Sequence, residues 1–170
     1  MNGTPQARKE SRGRRWQSPA RVARELVALS APDARVPIDS ERAIVEARRH
    51  ARRLAAAAGL AQTDLTIVVT VISELARNAL QFATGGEILV GIVQEDGRKG
   101  IVVVATDRGP GIEDLGRALE DGYSTAGRLG LGLPGVKRLM DDFEITSAPG
   151  AGTTVVARKW SHADASRLKP

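Results

Sequence analysis

The chain has 170 residues, enough for one domain with a proper core and too few for two of ordinary size. It has no cysteine, which excludes a disulfide framework. Its net charge of +5 sits entirely in residues 1–35, where eight Lys/Arg face only Glu10, Glu25 and Asp33. The rest is neutral, so DNA is not expected as the main partner. A basic leader alone can touch nucleic acid, an acidic partner or a membrane surface. No apolar run approaches the roughly 18–20 residues needed to span a bilayer. Val22 to Leu29 is interrupted by Arg24 and Glu25, so no signal core is expected either. These features predict a soluble, cytoplasmic protein with no membrane partner.

Residues 1–17 are polar and basic without apolar periodicity, and they read as a disordered leader. Ser18-Pro19 then opens a short amphipathic segment. Val22, Leu26 and Leu29 recur at i, i+4 and i+7 before Pro32, so residues 18–35 are a helix plus linker. Val36-Pro37-Ile38 predicts an edge strand, where a proline is tolerated. Asp39 or Ser40 caps a helix to about Ala58 with Gly59 as its stop; Ile44, Ala47, Ala51, Leu54 and Ala58 form its apolar face. Asp64 opens a second helix to about Phe82 with Val68, Val71, Ile72, Leu75 and Ala79 as its core stripe.

Two hairpins are predicted beyond it. Glu87–Gln94 and Ile101–Thr106 are Val/Ile-rich and joined across Asp96-Gly97. Residues 113–129 read as a long flexible segment, a candidate lid. Pro134–Asp141 reads as a helix with Lys137 in its first turn. Phe143–Ser147 and Thr153–Lys159 form the second hairpin, and residues 161–170 a tail. The expected class is an α/β two-layer sandwich with an antiparallel or mixed, mostly antiparallel, sheet packed on helices.

Four short motifs stand in fixed order along this frame. Glu74 and Asn78, in Glu-Leu-Ala-Arg-Asn-Ala, are one helical turn apart at the margin of the apolar stripe, where a polar side chain can look into a cleft. Taken alone, the pair reads as two ordinary surface residues of a solvent face. Asp107 ends a strand and begins Asp-Arg-Gly-Pro-Gly. A carboxylate there can accept the exocyclic amino hydrogen of adenine, and Gly109 and Gly111 let the backbone approach a base. The same residues also make an ordinary turn. Gly127, Gly130, Leu131 and Gly132 precede or open a helix, where glycine-rich N–H groups bind anions. There is no Gly-Lys-Ser/Thr, and no strand leads directly into a dinucleotide fingerprint. Gly152-Thr153-Thr154 opens the last strand.

Together these motifs resemble the N box, G1 box, G2 box and closing Gly-Thr of the Bergerat ATP-binding fold of the GHKL superfamily, shared by gyrase, Hsp90, histidine kinases and MutL. Over about residues 36–160 the chain looks most like the stressosome switch serine/threonine kinases, close cousins of the anti-sigma factor serine kinases. The resemblance implies that Asn78 holds the magnesium ion that bridges the ATP phosphates. It implies that Glu74 is the general base and that Thr154 lies near the adenine. The implied partners are a STAS-domain scaffold or antagonist and a PP2C-type phosphatase or its regulatory domain. Phe82 departs from the Tyr or His that relatives often carry, so no phosphate contact is carried over to it. Two alternatives stay open: an anti-sigma factor that sequesters its sigma factor, and a non-catalytic, ATP-gated binding module.

Overall fold

The computed structural model describes residues 32–120 and 132–162. The leader, the amphipathic segment to residue 31, Gly127, Gly130, Leu131, residues 121–129 of the expected lid and the last eight residues lie outside that range.

In chain order the elements are β1 (Ala34–Ile38), α1 (Glu41–Ala57), α2 (Gln62–Phe82), β2 (Gly86–Glu95) and β3 (Arg98–Asp107). Then follow α3 (Leu115–Ala118), α4 (Gly132–Leu139), β4 (Asp142–Ser147) and β5 (Thr153–Trp160). The five strands form one sheet in the order β1-β2-β3-β5-β4, and all four pairings are antiparallel. β1 and β4 are therefore the edges, and Pro37 sits on an edge strand as expected.

Local chemistry sets the boundaries. Ser40 caps α1, its hydroxyl accepting from the Ala43 amide at 3.4 Å, and Gly59 takes the left-handed φ of +82° that ends it. Asp96 and Gly97 both have positive φ, the signature of the two-residue hairpin turn between β2 and β3. Asp64 does not open α2. Ala61 is the N-cap, and Asp64 lies in the first turn, 9% exposed and 3.8 Å from Lys159 Nζ. A carboxylate there suits the positive end of the helix dipole while making a tertiary contact. The described part of the expected lid contains a helical turn. α3 is a single turn capped by Asp114, whose carboxylate accepts from the Arg117 amide at 3.0 Å.

The pleat divides the sheet into two faces. Val36, Ile38, Ile88, Val90, Ile101, Val103, Ala105, Val155 and Ala157 point to one side. There they share a single core with Ile44, Ala47, Ala51 and Leu54 of α1 and with Val68, Val71, Ile72 and Leu75 of α2. This is the expected two-layer sandwich. One expectation needs correcting: α2, at 21 residues, is long and apolar enough by length and composition to cross a membrane. Half of that stretch is buried inside the protein, which is how the central helix of such a sandwich behaves.

Candidate functional site

The last turns of α2 and the end of β3 are held together by glycines that leave no room for a side chain. A Cβ on Gly86 would stand 3.0 Å from the Ala79 Cβ and 3.3 Å from the Asp107 Cβ. One on Gly109 would stand 2.9 Å from the Ala83 Cβ and 3.0 Å from the Phe82 carbonyl oxygen. The loop that follows β3 therefore lies directly on the C-terminal end of α2, beside Ala79, Phe82 and Ala83.

Asp107 Oδ1 accepts from the Gly109 amide at 2.8 Å, an Asx turn that fixes the carboxylate. Its other oxygen makes no hydrogen bond to the described residues. The loop is then stitched to the β4–β5 hairpin. The Gly150 amide donates to the Pro110 carbonyl at 2.7 Å, and the Ile112 amide to Ser147 Oγ at 2.9 Å. Gly111 and Gly152 have φ of +74° and +73°. A Cβ on Gly111 would collide with the Ala148 carbonyl, and one on Gly152 with the Asp107 carbonyl. These two glycines serve both conformation and close approach.

The two threonines of the closing motif lie on opposite faces of the sheet. Thr154 pairs in register with Thr106, and the two hydroxyls are 3.2 Å apart on the sheet face away from the helices. Thr153 pairs with Asp107, which places it on the helix-facing side, and its hydroxyl lies 2.9 Å from Ser147 Oγ. Side chains alternate along a strand, so Thr153 adjoins the Asp107 end of the site and Thr154 does not. Ser147 also went unnoticed in the sequence. It donates to the Gly152 carbonyl at 2.8 Å while accepting from Ile112.

Two turns back along α2 from Phe82, about 12 Å by helical rise, Glu74 is held across the gap to α4. Its Oε2 accepts from the Gly132 amide at 3.4 Å, and its Oε1 from Arg77 Nη1 at 3.1 Å. The Glu74 side chain is only 15% exposed, whereas that of Arg77 is 51% exposed. Glu74 thus faces the start of the helix that the glycine-rich segment leads into. Gly132 has a φ of +55°. Asn78, on the same face as Glu74, is half-buried and makes no hydrogen bond to the described residues. A half-buried amide with no side-chain partner among the described residues fits a magnesium ligand, since its oxygen is hard and neutral. Lys137 is not in the first turn of α4: the helix starts at Gly132, so Lys137 falls in the last turn, where a cation suits the dipole.

The site thus has two ends along α2. One is the Asp107 carboxylate in its glycine frame, and the other is the Glu74 and Asn78 pair facing α4. The Histidine kinase-like ATPase domain family matches residues 36–159. The chain belongs to that family. It is 47% identical over 125 residues to the serine/threonine-protein kinase RsbT of Bacillus subtilis (strain 168), covering 74% of this chain and 94% of that protein. It is 35% identical over 116 residues to the anti-sigma F factor of Pasteuria penetrans, covering 61% and 76%. The solved structure of the mycobacterial sensor histidine kinase MprB overlays with a TM-score of 0.46 at 18% identity, covering 75% and 96%.

Proposed function

We propose that this chain is an ATP-dependent serine/threonine protein kinase that acts in the cytoplasm. Its target is a serine or threonine of a STAS-domain antagonist or scaffold in a partner-switching stress response. Once released, it activates a downstream PP2C-type phosphatase through its regulatory domain. The likeness to RsbT over 94% of that protein carries the reading. The two-ended geometry agrees with it, because a kinase must hold a base at one end of its nucleotide and a purine at the other.

Each residue then has a task. Asp107, fixed by Gly109, accepts the adenine amino hydrogen, a charge-assisted bond that guanine cannot reproduce there. Gly109 and Gly111 let the loop that carries Asp107 pack closely on α2 and on the β4–β5 hairpin, which positions it beside the base. Gly132, with Gly127, Gly130 and Leu131 before it, brings backbone N–H groups to the phosphates. Asn78 would hold magnesium, which when bound neutralises charge on the phosphates. The target hydroxyl oxygen attacks the terminal phosphorus, the bond to the ADP oxygen breaks, and the hydroxyl proton passes to Glu74. The long 3.4 Å contact between Glu74 and Gly132 is weak enough to be exchanged for that hydroxyl.

Incubation with labelled ATP and a STAS-domain protein tests the proposal. Label on a serine or threonine of the STAS domain is expected. ATP-dependent binding with no transfer would establish the binding-module alternative instead. The anti-sigma F factor relatives favour a second reading, in which the chain also sequesters a sigma factor. Pull-down against a sigma factor and against a STAS scaffold separates the two, and retention on the scaffold alone is expected.

A further inference from the structure

The sheet face away from the helices is buried, although the described residues place only strand side chains there. Leu89, Val102, Val104 and Val156 form a separate apolar cluster with Val93, and all four are at most 3% exposed. On the same face Glu144 and Arg158 pair at 3.1 Å with side chains only 4% and 2% exposed. Side chains on a pleated sheet stand roughly perpendicular to it, so a face open to water exposes their tips. A strip of valines cannot cover itself. Trp160 closes one end by lying over Gly100, with the Arg98 guanidinium 4.6 Å from its ring. It does not reach the row formed by Leu89, Val104 and Val156.

We propose that residues 18–31 of the same chain cover this face as an amphipathic helix, with Val22, Leu26 and Leu29 against the valine strip. The dimensions agree. The row crosses β2, β3 and β5, two strand spacings or about 10 Å, which is the width of one helix. A helix of a dozen residues is about 18 Å long, enough to run along the strip. The point of entry agrees as well. Asp33 Oδ2 accepts from the Ile92 amide at 2.8 Å, and Ala34 pairs with Val90, so the segment joins the sheet beside Val93 and Leu89. On β1, Arg35 stays 53% exposed in its pair with Glu87, which puts the cover over the centre of the sheet and not its β1 edge. The family match begins at residue 36, so this cover is an addition to the shared domain.

The absence of native cysteine makes the test direct. In the full chain, Leu26→Cys is combined in turn with Leu89→Cys, Val93→Cys and Val156→Cys, oxidised, and run without reductant. A disulfide at monomer mass in at least one pair is expected. Disulfides only at dimer mass would overturn the proposal in favour of a second copy on the face. No disulfide in any pair would overturn it as well. Leu26→Lys in the otherwise native chain is expected to lower Tm by about 5 °C or more, with ATP affinity unchanged because the cover lies opposite the nucleotide end. An unmoved Tm would overturn the proposal independently.

Discussion

On the proposed reading a single carboxylate, Asp107, selects the purine. Asp107→Asn keeps the shape and removes the charge from the bond to the adenine amino group, a loss of about 1.5–3 kcal/mol. ATP affinity is expected to fall roughly ten- to hundredfold, read by titration calorimetry; an unchanged dissociation constant sinks the adenine assignment. The two threonines of the closing strand make a sharper contrast. Thr153→Val is expected to weaken ATP about two- to tenfold, the range for one neutral hydrogen bond, because its hydroxyl supports Ser147 and the Asp107 loop. Thr154→Val, on the other face, leaves affinity within about twofold, and the reverse order would mean that the face assignment is wrong. Glu74, Asn78 and Asp107 could be proposed from the sequence because motif order and helical spacing are properties of the chain itself. Thr153 was not, because which of two adjacent threonines faces a site depends on strand register, set by pairing with residues some fifty positions away. The contact between Glu74 and the Gly132 amide was hidden because it joins two helices 58 positions apart in the chain.

The elements were legible where local chemistry sets their ends. Ser40, Gly59 and the Asp96-Gly97 turn do what their residue types do elsewhere. Reading failed at Asp64, whose carboxylate serves a tertiary contact with Lys159 and not the cap, and at α4, which begins two residues before Pro134. The glycines that weld elements together make a prediction at this scale. Gly152→Ala puts a Cβ against the Asp107 carbonyl at a left-handed φ. Its cost is expected to exceed about 1 kcal/mol, seen as a drop in the denaturation midpoint together with weaker ATP binding. A stable variant with intact binding would show that the β3 loop does not depend on this close approach. Asn78→Ala gives the opposite pattern. Alanine is the better helix former, so α2 is expected to survive while magnesium-dependent ATP binding is lost, measured by calorimetry with and without magnesium. Unfolding of that variant would make Asn78 a structural residue.

At the scale of the whole molecule, the family match covers residues 36–159 and the basic leader precedes it in sequence. Residues 1–17 carry no apolar periodicity, so little burial offsets the entropy of ordering them. Their deletion is expected to leave Tm and ATP binding unchanged, and a drop of many degrees would make them part of the fold. The sandwich was legible in outline, since two helical stripes and two hairpins admit few packings. The burial of its outer face was not, because alternation along a strand reports which residues share a face but not what covers it. The central claim is that α2 carries a general base at the far end of the nucleotide from Asp107, and Glu74→Gln tests it most directly. General-base assistance contributes about 10²–10⁴-fold, so single-turnover transfer from ATP to a STAS-domain serine is expected to slow by that order while ATP still binds. Transfer at the wild-type rate would contradict the account.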